Sequence, residues 1–263
     1  MRYATVWISD LHLGTPGCDA NGLLDFLRRV ECDRLYLVGD VVDLWRLRQE
    51  HYWPQSHNDV VQKILRKARK GVKVIWIPGN HDEFCKNFWG VYGNVIVKDY
   101  DMYTTLDGRR MLVLHGHEFD AITMHARWLA HLGDIGYTAL LAINRPLNAL
   151  RSCFGLGYWS LSMYVKSHVK NAVNFISSYE EALAHNAELH RADGVICGHI
   201  HTPAMRQIRN VAYYNPGDWV ENSTALVEHF DGRFELLQWN QDAVTATVAP
   251  DETYADEPVL VQN

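Results

Sequence analysis

A short apolar, β-branched run followed at once by a cluster of Asp, Asn, His and Gly recurs five times along the chain. Residues 4–9 (ATVWIS) lead into Asp10-Leu11-His12-Leu13-Gly14, and residues 34–38 (RLYLV) into Gly39-Asp40-Val41-Val42-Asp43. Residues 72–77 (VKVIWI) lead into Pro78-Gly79-Asn80-His81-Asp82, residues 110–114 (RMLVL) into His115-Gly116-His117-Glu118, and residues 194–197 (GVIC) into Gly198-His199-Ile200-His201. Each run has the length and composition of a strand. Between the first three the apolar spacing turns helical, with Leu23, Leu24, Phe26, Leu27 and Val30 in 21–30, and Val60, Val61, Ile64, Leu65 and Ala68 in 58–69. Alternating strands and helices predict βαβ units and the α/β class. In such sheets ligands bind beyond the carboxyl ends of the strands. All five polar clusters fall there, so the fold should gather them at one edge.

Residues 120–190 lack strand signals. They read as helices near 121–132, near 136–144 ending before Pro146, near 158–176, and from Ser178, where Glu181 completes a capping-box pattern. This stretch lies between the fourth and fifth clusters, so both its ends must return near the site. We read 121–190 as a helical cap inserted into a core of 1–120 and 191–240. Beyond the fifth cluster, Val211–Asn215 reads as a strand, and Thr224–Phe230 and Arg233–Trp239 as a hairpin joined by a type I′ turn at Asp231-Gly232. Residues 241–263 carry five acidic side chains and no basic one, and read as a loosely held tail.

Composition narrows the function. With 263 residues, 48% apolar and 21% charged, the chain has material for one large domain with an insertion. A net charge of −6 argues against a nucleic-acid partner. It leaves room for a small phosphorylated substrate, because a metal site brings its own positive charge. Five scattered cysteines with no C-x-x-C pair point to a reducing cytosol. The N-terminus reads as a strand rather than a signal peptide, and no run of about 18 apolar residues appears. The expectation is a cytoplasmic protein able to touch the inner membrane surface; nothing indicates an oligomeric state.

The clusters hold the donors that Mn²⁺, Fe²⁺ or Zn²⁺ accept, carboxylate oxygen and imidazole nitrogen. Two such ions about 3.5–4 Å apart clamp a phosphoryl group and generate a nucleophile from water. Asp10 and His12, like His199 and His201, are two residues apart and face the same way along an extended loop. Asp40 follows a glycine at a sharp turn; Asn80 offers a carbonyl oxygen and His115 an imidazole. Each cluster alone is weak, and Asp43 could have helix capping as its only task. Five in order at strand ends leave coincidence little room. His117 and Asp120 could orient ligands or simply pack, and Asn215 and Asp218 could steady the His-x-His loop. Lys166, Lys170 and Asn171 share roughly one helical face, where they would meet a diphosphate or sugar or else be a solvated surface. Likewise the apolar cap residues could receive acyl chains or pack on one another.

The ordered motifs Asp10-x-His12, Gly39-Asp40-x-x-Asp43, Gly79-Asn80-His81-Asp82, His115-Gly116 and Gly198-His199-x-His201 resemble those of the calcineurin-like metallophosphoesterases. The resemblance implies an αββα sandwich with two divalent ions, manganese first among the candidates. One ion would be held by Asp10, His12, Asp40 and His201, the other by Asp40, Asn80, His115 and His199, with Asp40 bridging. Asp-Leu-His-Leu (10–13), the helical insertion, Gly-His-x-His-x-Pro and Gly-Asp-Trp-Val-Glu (217–221) are similar, more narrowly, to the UDP-2,3-diacylglucosamine hydrolases of lipid A biosynthesis. That group tends to carry Gly-Asn-Arg-Asp where this chain has His81. The resemblance therefore implies cleavage of a phosphodiester or pyrophosphate bond, in a lipid-linked or nucleotide-sugar substrate or in a soluble nucleotide. His81, held by Asp82, would stabilise the transition state or protonate the leaving oxygen, and Asn80 would also face substrate.

Overall fold

The computed structural model describes residues 1–119, 176 and 179–239. Its first unit is the expected one: β1 (Arg2–Ile8), helix α1 (Ala20–Arg29) and β2 (Glu31–Val38), with the two strands parallel and Trp7 opposite Tyr36. Asp19 starts α1 by accepting from Gly22 N at 2.9 Å. A short helix α2 (Leu44–Gln49) and the longer α3 (Gln55–Arg69) lead to β3 (Lys73–Ile77), again parallel to β2. A 3-10 turn at Glu83–Phe88, then β4 (Gly90–Tyr92), β5 (Val95–Val97), β6 (Asp101–Thr104) and β7 (Arg110–Leu114) follow. Past the insertion come helix α4 (179–189), β8 (Gly194–Cys197), β9 (Ala204–Ile208), β10 (Val211–Asn215), β11 (Thr224–Glu228) and β12 (Phe234–Gln238).

The strands form a seven-stranded sheet in the order β12-β11-β1-β2-β3-β5-β4 and a five-stranded sheet in the order β6-β7-β8-β10-β9. The sheets meet through Trp7, Tyr36, Val38, Ile75 and Ile77 on one side and Tyr103, Met111, Val113 and Ile196 on the other. Leu23, Phe26 and Leu27 of α1, with Val60 and Ile64 of α3, cover the outer face of the larger sheet. Full burial of a side chain such as Phe26 contributes roughly 1.5–3 kcal/mol. Leu183, Ala184 and Ala187 of α4 pack on Leu112, Leu114, Val195 and Cys197, outside the smaller sheet. Helix, sheet, sheet, helix is the αββα sandwich. Burial on both faces of β1 from Tyr3 and of β2 from Leu35 explains why these stretches are largely apolar rather than alternating.

Three expectations need adjustment. Residues 179–189, placed in the cap from sequence, belong to the core's outer helical layer, because their apolar stripe is used up on the smaller sheet. The β11–β12 connection is not a type I′ turn. Only Gly232 has positive φ, and His229 N→Arg233 O and Gly232 N→His229 O close a longer loop. The segments β4, β5, β6, β9 and α2 had no separate signal; β4 and β5 are three residues each and α2 buries nothing. The cap helices before 179, with Lys166, Lys170 and Asn171, and the 241–263 tail lie outside the described residues. So do Asp120 and Ser178.

Candidate metal centre

The carboxyl ends of β1, β2, β3, β7 and β8 bring the five clusters together. Asp10, His12 and His201 offer ligand atoms within 4.8 Å of one another, and so do Asp40, His115 and His199. Asp40 Oδ2 lies 3.4 Å from His115 Nε2 and 3.8 Å from His12 Nε2, so it stands between the two sets. Asp10 Oδ1 is 3.2 Å from His201 Nε2, and His12 Nε2 is 3.3 Å from His201 Nε2.

The backbone is bent to make this convergence. Asp10, His12, Asp40, His199 and His201 all have φ between 48° and 73°, the left-handed region that side chains usually avoid. Such conformations cost on the order of 1–3 kcal/mol each. Surrounding bonds hold them: Asp10 N donates to Gly39 O at 3.1 Å, His12 N to Asp40 O at 2.9 Å, and His199 N to Asp10 Oδ2 at 2.9 Å. Glycines clear the remaining space. A Cβ on Gly39 would overlap the His115 ring, and one on Gly198 would come within 2.5 Å of Asp10 Oδ2.

Polar satisfaction tests whether cations fit. Asp10 Oδ1, Asp40 Oδ2, Asn80 Oδ1 and His115 Nε2 are buried without a hydrogen-bond partner among the described residues. Buried polar atoms of this kind are normally paired, and of these Asp40 Oδ2 and His115 Nε2 lie 3.4 Å apart. His115 Nδ1 donates to Val38 O at 3.0 Å, which fixes its tautomer and leaves Nε2 for a ligand bond. Two carboxylates and four imidazoles, with one amide oxygen, form a donor set suited to divalent first-row metals. Burial pushes the Asp10 carboxyl up, but His201 outweighs it and holds it below the ordinary range. Burial lowers His115, yet the neighbouring Asp40 carboxylate wins and raises it to about 10.

His81 is partnered differently from expectation. Its Nδ1 lies 3.0 Å from Asp43 Oδ1, not against Asp82, and Nε2 lies 3.9 Å from Asp40 Oδ2. Asp82 turns inward and accepts from Gly79 N at 2.6 Å, Val41 N at 2.9 Å and Trp76 Nε1 at 3.2 Å. It is a brace for the turn, and burial together with Asp40 raises its pKa. Asp43 also meets His12 Nδ1 at 3.2 Å while capping α2 through Arg46 N at 2.8 Å. One carboxylate therefore orients two imidazoles and starts a helix, where sequence suggested capping alone. Trp45, which sequence reasoning passed over, covers His81 with ring centroids 4.4 Å apart.

The supporting residues divide. Asn215 Nδ2 donates to Gly198 O at 3.2 Å; Asp218 binds Asn222, whose Nδ2 donates to His201 O at 3.0 Å. Both thus steady the His-x-His loop. His117 packs its ring 5.5 Å from His115 and accepts from Lys86 Nζ at 3.1 Å. Phe84, Phe88 and Trp89, directly after the third motif, are exposed.

Residues 4–203 match the family model described as calcineurin-like phosphoesterase. A UDP-2,3-diacylglucosamine hydrolase from Photorhabdus laumondii is 27% identical over 211 residues, covering 78% of this chain and 84% of its own. One of the same name from Marinobacter nauticus is 27% identical over 227 residues, covering 83% and 90%. A solved phosphoesterase from E. coli aligns over 90% of this chain and 99% of its own at 16% identity, with a TM-score of 0.40.

Proposed function

Because the chain belongs to the calcineurin-like phosphoesterase family and is a metallophosphoesterase, we propose that it hydrolyses a phosphodiester or pyrophosphate bond of a lipid-linked or nucleotide-sugar substrate. The convergence of four unpartnered buried atoms, Asp10 Oδ1, Asp40 Oδ2, Asn80 Oδ1 and His115 Nε2, carries the reading. Asp10, His12, Asp40 and His201 would hold one ion, and Asp40, Asn80, His115 and His199 the other, with manganese the first candidate. When bound, the ions supply Lewis-acid stabilisation of a phosphoryl oxygen and lower the pKa of water.

The chain's own residues do the rest. The Asp43 carboxylate, 3.0 Å from His81 Nδ1, holds the ring with Nε2 turned toward Asp40, 3.9 Å from its Oδ2. From there Nε2 delivers a proton to the leaving oxygen or meets its growing charge. Trp45 shields one face of the ring from water. Asp82 keeps the Gly79-Asn80 turn in shape, so that Asn80 would present Oδ1 to a bound ion and its amide N–H to substrate.

The substrate class rests on the names of the relatives and on the exposed Phe84, Phe88 and Trp89 beside the third motif, which suit an acyl chain or a membrane surface on the cytoplasmic side. Lys166, Lys170 and Asn171 are the proposed contacts for a diphosphate or sugar. A soluble phosphodiesterase is the second reading, favoured by His81 in the place where Arg is usual.

The test compares manganese-loaded protein on detergent-dispersed UDP-2,3-diacylglucosamine and on bis(p-nitrophenyl) phosphate. A higher kcat/KM for the glycolipid supports the first reading; activity on the soluble diester alone overturns it. Asp40→Asn should lose metal and rate together. His81→Ala should keep metal while turnover falls about 10²–10⁴-fold, and near-wild-type turnover would remove His81 from the mechanism.

A further inference from the structure

Between the two sheets, with Arg34 and Lys73 at the start of the β2–β3 pairing on one side and Lys98 and Asp101 on the other, lies a cleft of about 270 Å³. Arg34 lies six residues before Asp40, about 20 Å along an extended chain, so this is a separate place. Ile75 and Tyr103 are buried in its depth; Arg34 and Lys73 are exposed at its mouth, and half-buried Lys98 lines it farther along.

Three cations and one carboxylate line the cleft, in a chain whose net charge is −6. The carboxylate is committed: Asp101 Oδ1 accepts from Lys98 Nζ at 2.8 Å and Oδ2 from Tyr36 OH at 2.7 Å. Arg34 and Lys73 make no ion pair among the described residues, yet they are lateral partners on adjacent parallel strands. Like charges placed side by side on a sheet repel. An anion between them turns that repulsion into two attractions.

Arg34 is also held ready. Its guanidinium lies 5.4 Å from the centroid of Tyr103, whose hydroxyl is anchored on Thr5 and Glu228. A stacked guanidinium keeps its fork of donors free for a bidentate oxyanion. Low-dielectric walls on both sides strengthen the field of the cations at the mouth. The volume is just under the usual range for small-molecule sites, about 300–1,000 Å³, which excludes a macromolecule or a whole dinucleotide.

We propose that this cleft binds a small soluble phosphorylated molecule, its phosphate between Arg34 and Lys73 and its organic part over Ile75 and Ile96. It is a second anion site, independent of the hydrolytic centre.

The test uses the metal-loaded full chain and phenylphosphonate, a phosphate monoester mimic with a carbon–phosphorus bond. Lysine acylation is followed residue by residue by mass spectrometry. At ten times the Kd, acylation of Lys73 should slow about tenfold, while that of Lys70, just past the end of α3, is unchanged. Arg34→Gln should abolish that protection and leave hydrolysis of bis(p-nitrophenyl) phosphate intact; Arg34→Lys should restore part of it. Lys73→Gln with Lys98 as reporter asks the same question if Arg34→Gln fails to fold. No protection, or equal protection in Arg34→Gln, overturns the proposal. So does a Lys73 already unreactive without ligand, or one protected by phosphatidylglycerol vesicles but not by phenylphosphonate.

Discussion

Replacing Asp43 with Ser separates its two tasks. Serine is as good a helix cap as aspartate, so the Arg46 N contact can be replaced and α2 should persist. It is too short to reach the His12 and His81 Nδ1 atoms, now 3.2 and 3.0 Å from the carboxylate. A neutral intramolecular hydrogen bond contributes about 1 kcal/mol net and one to a charged group about 1.5–3 kcal/mol. Removing the carboxylate also relieves its burial, so the net stability loss should stay near 1–2 kcal/mol. The effect on metal should be larger in proportion. Loss of a group that orients a ligand typically lowers affinity or activity about 10–100-fold, or about 1.4–2.7 kcal/mol. Manganese affinity is measured by competition with a fluorescent chelator, rate by phosphodiester hydrolysis, and stability by thermal midpoint. Asp43→Asn is the comparison, since it keeps an oxygen for Arg46 N but presents N–H to an imidazole N–H. A Ser variant that keeps affinity and rate while its midpoint drops would refute the reasoning and return Asp43 to helix capping alone.

Other outcomes follow from the same geometry. Gly39→Ala forces a left-handed residue, at about 1–2 kcal/mol, and pushes the His115 ring off Val38 O; metal stoichiometry should fall, and a full complement of metal would contradict the packing. Chelation should lower the melting temperature without abolishing a cooperative transition, because the apolar clusters do not depend on the site; metal at 100 times its Kd should restore about 2.7 kcal/mol, and an unchanged midpoint would count against a structural contribution from metal. Burial depresses the pKa of His57, whose Nδ1 accepts from Gly14 N at 2.9 Å. Its contribution is therefore complete above the unfolded value, about 6.5, and is lost as pH falls below that toward the folded pKa. The stability difference between wild type and His57→Gln should shrink on acidification from about pH 7 to 5, and a difference independent of pH would show that the pKa of His57 is the same folded and unfolded.

The parts legible in sequence were those governed by local periodicity. Five apolar runs ending in polar clusters sufficed to place Asp10, His12, Asp40, Asn80, His115, His199 and His201 at one edge, because strand ends and a crossover rule determine that edge. The partner of His81 was not legible. Asp82 is its neighbour in the chain, but consecutive residues point apart, and Asp82 turns to the Gly79 and Val41 amides. Asp43 reaches His12 and His81 only because the loops after β1 and β3 flank the one after β2, a relation made by the sheet. The same holds for α4. Its apolar stripe could have faced a cap or a sheet with equal ease, and only packing against Leu112, Leu114 and Val195 decides.

The bond from His199 N to Asp10 Oδ2 runs between loops that leave different sheets, as does the one from His115 Nδ1 to Val38 O. Slippage of one sheet over the other must break both before either sheet unravels. The hydrolytic centre is therefore a gauge of sheet alignment. Hydrogen exchange at the His199 amide reports on that slippage in the resting protein, and loss of activity under denaturant should precede or match loss of the sheets, never trail it.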